Sequence, residues 1–529
     1  MHITRLSLGR PSFRQHLRQL CATSSREIWT ENFEPVVGLE VHLQINSRSK
    51  LFSNASTSLG GGINRQVSAF DAAIPGTLPV LNRRCVEAAV QTALALECAE
   101  LNNVSRFDRK HYFYADMPAG FQITQQFHPI ARKGNLNYYQ MESPGALPEK
   151  KSCKILQLQL EQDSGRSVHD AENRVSLIDL NRAGVGLLEV VFAPDLKSGK
   201  EAADLVKELI AIVKAIGVCS GRMEDGAVRV DANISVHQPG TPLGTRTEVK
   251  NLNSLRAVSR AIDLEIRRQM FFVKRGLKIQ NVTLSFDSET VSTVVMRDKE
   301  IVQDYRFFPE PNIPSLNLQQ AGICIESLRH SLPSLPHELR KRLMDTYGLD
   351  FWKCVVIVRE PGMYEFFTQA MNYLSIEYAK QASNILLIDI IGYMNKHSME
   401  FEDVHISPKQ FADLIRMVGE RRLPIKKCLE VLQEVIESSR DPEEIVELNN
   451  WWMIKDENLL GALCEEAIRL YPKHARKAQV GKQDVLKPLM SHIQIATQGR
   501  ADMKLAKRIM LEKIQRPEMA LREEVNAGR

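Results

Sequence analysis

Glu40 and His42 stand two residues apart in residues 37–44, VGLEVHLQ. A carboxylate and an imidazole at i, i+2 of a β-strand point the same way, here opposite Leu39, Val41 and Leu43. Held rigidly by a sheet ladder, such a pair can preorganise a site for a divalent metal or a phosphate. The same alternation is also that of an ordinary half-solvated strand, and the pair by itself leaves both readings open.

The construction recurs along the first half of the chain. Residues 156–163 alternate Gln157, Gln159, Glu161 and Asp163 with Leu156, Leu158 and Leu160. Residues 228–236 set Arg229, Asp231, Asn233 and Ser235 opposite Val228, Val230, Ala232, Ile234 and Val236, and residues 245–250 put Arg246, Glu248 and Lys250 on one side. Four strands thus carry carboxylates on one face. Residues 177–192, LIDLNRAGVGLLEVVF, read as two buried strand segments joined by a glycine-containing bend. Glu189 falls inside the second apolar run, where a carboxylate needs a partner or a cation.

The elements that must position these groups belong to a chain of 529 residues, 43% hydrophobic and 25% charged. That is too long for one core, and two or three domains are expected. No apolar run approaches the roughly 20 residues that span a bilayer. The nine cysteines are scattered without a C-x-x-C, which predicts reduced thiols rather than a zinc or disulfide framework. Residues 1–30 hold Arg5, Arg10, Arg14, Arg18 and Arg26, with no acidic residue before Glu27, and read as a mitochondrial transit peptide. Without those arginines the formal charge falls from +5 to zero, so any nucleic-acid binding must come from a local patch.

Such a patch lies near the C-terminus, where Lys473, Arg476, Lys477, Lys482, Lys487, Arg500, Lys504, Lys507, Arg508 and Lys513 face only Asp484, Asp502 and Glu512. It can be an RNA-contacting surface or a solvated helix face. Helices are predicted over residues 407–419, 424–438, 442–448, 457–471, 485–497 and 501–514, with a turn at Gln498-Gly499. Leu486, Leu489, Met490, Ile493 and Ile495 are the expected packing face of the fifth. The proline-rich passage at residues 308–314, followed by Leu332-Pro333 and Leu335-Pro336, marks the main domain boundary.

Missing motifs narrow the chemistry. There is no G-x-x-x-x-G-K-[ST] and no Rossmann fingerprint after a strand, so an ATP site must be built without a P-loop. No G-x-S-x-G elbow or Gly/Ser-rich amidase segment offers an acyl-enzyme nucleophile. The chemistry suggested is metal-assisted phosphoryl transfer on a sheet face.

The landmarks then form a pattern: VGLEVHLQ; Asp71 with Pro75-Gly76-Thr77-Leu78-Pro79-Val80; Phe107-Asp108-Arg109-Lys110-His111-Tyr112-Phe113-Tyr114; and Asp179-Leu180-Asn181-Arg182 leading to Glu189. Asp231-Ala232-Asn233-Ile234-Ser235, Lys250-Asn251-Leu252-Asn253-Ser254 and Asp304-Tyr305-Arg306-Phe307-Phe308-Pro309-Glu310-Pro311 follow. From about Val36 to the C-terminus the chain resembles the B-subunit family of glutamyl-tRNA(Gln) amidotransferases, in its mitochondrial form.

The resemblance implies an α+β chain. Its parts would be a glutamine synthetase-like cradle domain with a curved antiparallel sheet (31–318), an all-α connector (319–398) and an all-α tail domain that binds tRNA (399–529). It implies a mitochondrial matrix enzyme of three subunits: an amidase (A) subunit that releases ammonia from glutamine, a small C subunit, and this one. This subunit would use ATP and Mg2+ to convert misacylated Glu-tRNA(Gln) to Gln-tRNA(Gln) through a γ-glutamyl phosphate. On that reading Glu40, His42 and Glu189 are expected metal ligands and Glu161 a further catalytic carboxylate. Lys110 and Arg182 would meet phosphate or the ammonia route, and Asp231, Glu248 and Lys250 would lie on the cofactor side or buttress the sheet.

Three departures stand out. Glu161-Gln162-Asp163-Ser164-Gly165-Arg166 occurs where bacterial relatives read E-E-D-x-G-K, and Asp116-Met117-Pro118-Ala119 where they read D-x-P-K. The expectation is a lost charge pair that alters tunnel gating and spares the activation chemistry. Gly186 takes the place of a usual proline and is expected to soften the bend before Glu189. A decayed, RNA-binding scaffold and a free-standing ligase for a small carboxylate stay open as other readings.

Overall fold

The structure, a computed structural model, describes residues 33–515 apart from 59, 142–147, 171, 288–289, 291, 299–304 and 480–485. The arginine-rich leader, Asp304, Lys482 and Asp484 of the sequence reading lie outside the described residues. The chain divides into two units between Pro336 and His337.

The first unit is built on a nine-stranded sheet. From edge to edge it runs Ser292–Asp298, Val282–Asp287, Thr247–Leu252, Val228–His237, Glu34–Gln44, Gly186–Phe192, Glu149–Gln162, Ala131–Gln140 and Glu100–Leu101. All neighbours are antiparallel except Thr247–Leu252 with Val282–Asp287. The helix Leu255–Lys274 makes the crossover that a parallel pair requires. Strict alternation puts Leu39, Val41 and Leu43 in the core, with Leu188 and Val190 on one neighbour and Val228, Val230, Ala232 and Ile234 on the other.

Three helices cover that apolar face: Arg83–Ala95, Gly199–Ala215 and Leu255–Lys274. Ser198 and Ser254 cap the last two, their hydroxyls accepting from the amides of Glu201 and Ala257. The two caps start helices that touch closely, since a Cβ on Gly199 would collide with the Ser259 carbonyl oxygen. The opposite, polar face is overlaid at one end by a three-stranded sheet of Phe308–Pro309, Asp108–His111 and Phe121–Thr124.

Two strand expectations are corrected. Leu156 is 51% exposed rather than packed with Leu158 and Leu160. Gln157 pairs with Val191 and Ile155 with Phe192, so Leu156 is the extra residue of a bulge. Cys153 and Ile155 face the core before it, and Leu158 and Leu160 after it. The segment Val175–Asp179 is not buried; it pairs with Arg166–Asp170 in a two-stranded hairpin that leaves Leu177 59% exposed.

The domain boundaries also differ from those expected. The first core continues past residue 318, taking in Ile323 with Ile325, Leu328, Leu332 and Leu335. The first proline-rich passage is part of this unit because Phe308 and Pro309 pair with Arg109 and Asp108. The change of core falls at the later prolines instead. In the second unit the break is not at 398: one core runs from Leu343 to Val446 and another from Leu460 to Ile514.

The second unit is helical, with Pro408–Gly419, Ile425–Ser438, Pro442–Leu448, Glu457–Leu470, Lys487–Ala496 and Met503–Gln515 close to the predicted spans. Ser407 and Gln410 form a reciprocal capping box ahead of Pro408, and Asp456 caps Glu457–Leu470. Leu486, Leu489 and Ile493 are buried as expected, but Ile495 is 77% exposed. Among the described residues no helix is long and apolar enough to cross a membrane.

Candidate active site

The polar face of the nine-stranded sheet gathers most of the singled-out residues, because pairing register turns sequence alternation into rows. His42 stands directly opposite Glu189 on one side and Arg229 on the other, and Glu189 stands opposite Gln159. One row therefore reads Arg229, His42, Glu189, Gln159 across four strands. Glu161 enters from two residues further along its strand.

The groups converge tightly. His42 Nε2 lies 3.3 Å from Glu161 Oε1 and 3.9 Å from Glu189 Oε2. One donor atom of each of the three falls within 4.8 Å of the others. Thr124 donates to Glu161 at 3.1 Å, and the Gln159 amide donates to Glu189 at 2.7 Å and to Thr124 at 3.2 Å. Burial works against a charged His42, but the Glu161 hydrogen bond and the charges of Glu189, Glu161 and Asp231 win, pushing it up to about 9. Burial also disfavours an ionised Glu161, yet His42 and Lys110 hold its carboxyl below the usual range. Glu189 goes the other way, raised by burial and by Glu161. Lys110 is kept protonated above the ordinary lysine value, since Glu161 and Glu189 outweigh its own burial.

This donor set fits a divalent cation. Two carboxylates and one imidazole sit on a rigid ladder, and their negative charge is offset by a proton that a metal can displace. Glu40, expected as a ligand, is not in the cluster, and Glu161 takes that place. Glu40 is in register with Asp231 and Val191, two residues along the strand from His42, which is a separation of about 7 Å. Its carboxylate accepts instead from the Asn233 amide at 2.9 Å.

A second group lies on the neighbouring strands. Lys250 Nζ reaches Asp231 at 3.3 Å and Glu248 at 3.1 Å, and Thr283 donates to Glu248. Asp231 also accepts from the Asn251 amide, where φ is +60° and the strand bulges. Arg246 precedes the strand and is exposed.

A third group links the sheet to a loop. Asp163, 3% exposed, accepts from Arg229 Nη2 at 2.8 Å and lies 3.5 Å from Arg182 Nε. Arg182 donates to the carbonyls of Ser164 and Gly165, so its donors hold the loop. Beneath it, wholly buried Lys50 bonds Asp71 at 3.1 Å and the Leu180 carbonyl at 3.3 Å. Gly184, at φ +83°, is required there because a Cβ would come 2.7 Å from Asp71 Oδ1.

Alternation had placed Arg229 and Gln159 on the right face without assigning them a role; nothing in sequence marks Thr124 or Lys50. Of the departures, Gln162 is buried, its side-chain oxygen accepting from the Ile123 amide, while Ala119 is exposed. Gly186 opens its strand, and a Cβ there would come 3.0 Å from Cys85 Sγ, a packing role rather than a softened bend.

The profile of the GatB/GatE catalytic domain matches residues 35–323 and that of the GatB domain residues 365–514. The chain is 45% identical to the B subunit of the mitochondrial glutamyl-tRNA(Gln) amidotransferase of Aedes aegypti, covering 89% of this chain and 91% of that one. For the human mitochondrial protein of the same name the identity is 43%, over 90% and 88%. It is 39% identical to the B subunit of the aspartyl/glutamyl-tRNA(Asn/Gln) amidotransferase of Rickettsia canadensis, over 92% and 98%. Both profiles fall in order along one chain whose carboxylate-lined sheet lies inside the catalytic match, and with relatives alike over about nine-tenths of its length the chain belongs to the B-subunit family of glutamyl-tRNA(Gln) amidotransferases.

Proposed function

We propose that this chain is the activating subunit of a mitochondrial, tRNA-dependent amidotransferase that converts Glu-tRNA(Gln) to Gln-tRNA(Gln) in the matrix. The observation that carries the reading is the convergence of His42, Glu161 and Glu189 on a rigid sheet face within the catalytic-domain match.

The substrate γ-carboxylate and the ATP phosphates are all anionic and must be brought together. His42, Glu161 and Glu189 would hold Mg2+, which when bound offsets that charge and polarises the phosphoryl oxygens. Lys110, kept protonated at the edge of the cluster, supplies a fixed positive charge for a phosphate. Asp231, Glu248 and Lys250 form the adjoining nucleotide side, with Glu40 between the two groups. Arg182 and Arg229 orient the loop around Asp163 that closes the far end.

In the first step a carboxylate oxygen attacks the γ-phosphorus of ATP and ADP leaves, giving γ-glutamyl phosphate. In the second, ammonia attacks the acyl carbon, the C–O bond to phosphate breaks, and a proton is lost to give the amide. No protein nucleophile is needed. Ammonia would come from an amidase (A) subunit, with a small C subunit completing the heterotrimer and the helical second unit holding tRNA.

The test is conversion of Glu-tRNA(Gln) by the reconstituted assembly with ATP, Mg2+ and free ammonium, comparing wild type with His42→Ala. Ammonium bypasses the partner amidase. A variant that assembles and binds tRNA but loses conversion supports the assignment. Full activity in that variant would move the reading to an RNA-binding scaffold.

A further inference from the structure

Two aromatic-rich landmarks, residues 107–114 (FDRKHYFY) and 305–308 (YRFF), enter the proposed chemistry only through Lys110. The fold joins them. Phe308 pairs with Arg109, and the His111 amide donates to the Tyr305 carbonyl at 2.9 Å. Their rings form a continuous series with Phe127. Ring centres are 6.0 Å apart from Phe127 to Phe307, 5.9 Å from Phe307 to Tyr305, 6.4 Å from Tyr305 to Tyr112 and 5.5 Å from Tyr112 to Tyr114.

The inner part of this arc stands at the carboxylate cluster. Lys110 Nζ is 5.0 Å from the centre of the Tyr305 ring, and that same ammonium feels the charges of Glu161 and Glu189. The strand beside it, Phe121–Thr124, carries the Thr124 hydroxyl that bonds Glu161. The ends of the arc are open to solvent: Phe127 is 53% and Tyr114 51% exposed, with Phe113 beside it at 87%.

Each contact in the arc is edge-to-face, with interplanar angles of 62° to 78°. Tyr112, Tyr305 and Phe307 are half-buried and Phe127 is more than half exposed, so part of the ring surface along the arc is in reach of solvent. Partly exposed aromatic rings running up to a fixed cation suit unpaired nucleobases, which stack regardless of sequence. An adenine pocket for a free nucleotide would enclose its ring, and this arc is open at both ends.

We propose that Phe127, Phe307, Tyr305 and Tyr112 stack the unpaired 3′-terminal bases of the RNA that carries the substrate carboxylate, positioning that end over His42, Glu161 and Glu189. The inference rests on the function proposed above. It makes these four positioning residues.

The test uses the assembled enzyme and substrate tRNA whose terminal adenine is replaced by fluorescent 2-aminopurine. Stacking quenches the fluorophore on binding. Phe307→Leu and Phe127→Leu keep apolar bulk and remove the π-face; each is expected to relieve the quenching and raise KM for the aminoacylated RNA about tenfold, with KM for ATP unchanged. Phe307→Tyr should restore both. Quenching and RNA KM unchanged in both leucine variants, while conversion persists, overturn the inference and leave the proposed function standing. A rise in KM for ATP alone also overturns it and gives the arc to the nucleotide. Wild-type enzyme that binds no tRNA sinks the function and this inference together.

Discussion

Glu161 and Glu189 on one half of the sheet face, and Asp231 and Glu248 on the other, are carboxylate pairs neutralised in different ways. Between the first pair stands an imidazole, charged only while it keeps its proton. Between the second stands the ammonium of Lys250, which burial disfavours but Asp231 and Glu248 hold well above the usual lysine range. A divalent cation can displace a proton from His42 and take its place. It cannot displace a lysine held that firmly. The difference separates the half of the face that would admit a metal on the proposed reading from the half that carries its own fixed cation.

The largest effect is expected from Glu161→Gln, which removes the carboxylate that both His42 and Thr124 contact. Metal affinity by titration calorimetry and ammonium-dependent conversion should each fall by at least about 100-fold. Equal metal binding in the variant would end the distinction between the two halves.

Lys250→Met is designed to turn the second half into a copy of the first. Leaving two buried carboxylates unbalanced should lower stability by about 2–3 kcal/mol, allowing for solvent screening at the one-third-exposed Lys250, read by chemical denaturation. The contrast is sharper with Mg2+ present: the variant's unfolding midpoint should rise with Mg2+ by more than the wild type's. A variant indifferent to Mg2+ would show that the second pair is not a latent cation site.

The protonation of His42 gives a smaller signal with a definite sign. Its pKa is raised from 6.5 to about 9, so the metal-free protein draws stability from it that is fully present below 6.5 and lost as pH rises through about 9. Near neutral pH, binding of Mg2+ should therefore release a proton, measured by calorimetry in buffers of different ionisation enthalpy. His42→Ala should reduce that release to the part that comes from Glu189, whose carboxyl burial and Glu161 hold above the usual range.

The smallest effect tests the bulge that turns Glu161 toward His42. Leu156→Ser should change stability by no more than about 0.5 kcal/mol. Leu158→Ala, two residues on and fully buried, should cost about 2–5 kcal/mol. Equal losses at both positions would mean that the strand alternates without interruption.

Much of the fold was legible because local rules and tertiary demands agree. VGLEVHLQ alternates cleanly and is the strand Glu34–Gln44; Ser407 before Pro408 and Asp456 before Glu457 announce helices that start where their caps allow. Where local rules mislead, a long-range contact decides. Alternation made Leu156 apolar-facing, and the pairing with Gly186–Phe192 expels it. The basic tail counted as a strong local excess, yet Arg508 pairs with Glu457, Lys513 with Glu465 and Asp502 with Arg421, partners that come from elsewhere in the chain.

For the site, sequence alone determined which side chains share a face of each strand, because the period of two is a property of the extended backbone. It thereby supplied Glu40, His42, Glu161, Asp231, Glu248 and Lys250, and flagged Glu189 as a carboxylate needing company. Only the tertiary structure decided which of them meet. Register between strands distant in sequence put Glu189 opposite His42 and left Glu40 to Asn233, and a one-residue bulge moved Glu161 into reach. Register is fixed by the pairing and packing of the whole sheet, so no single strand carries it.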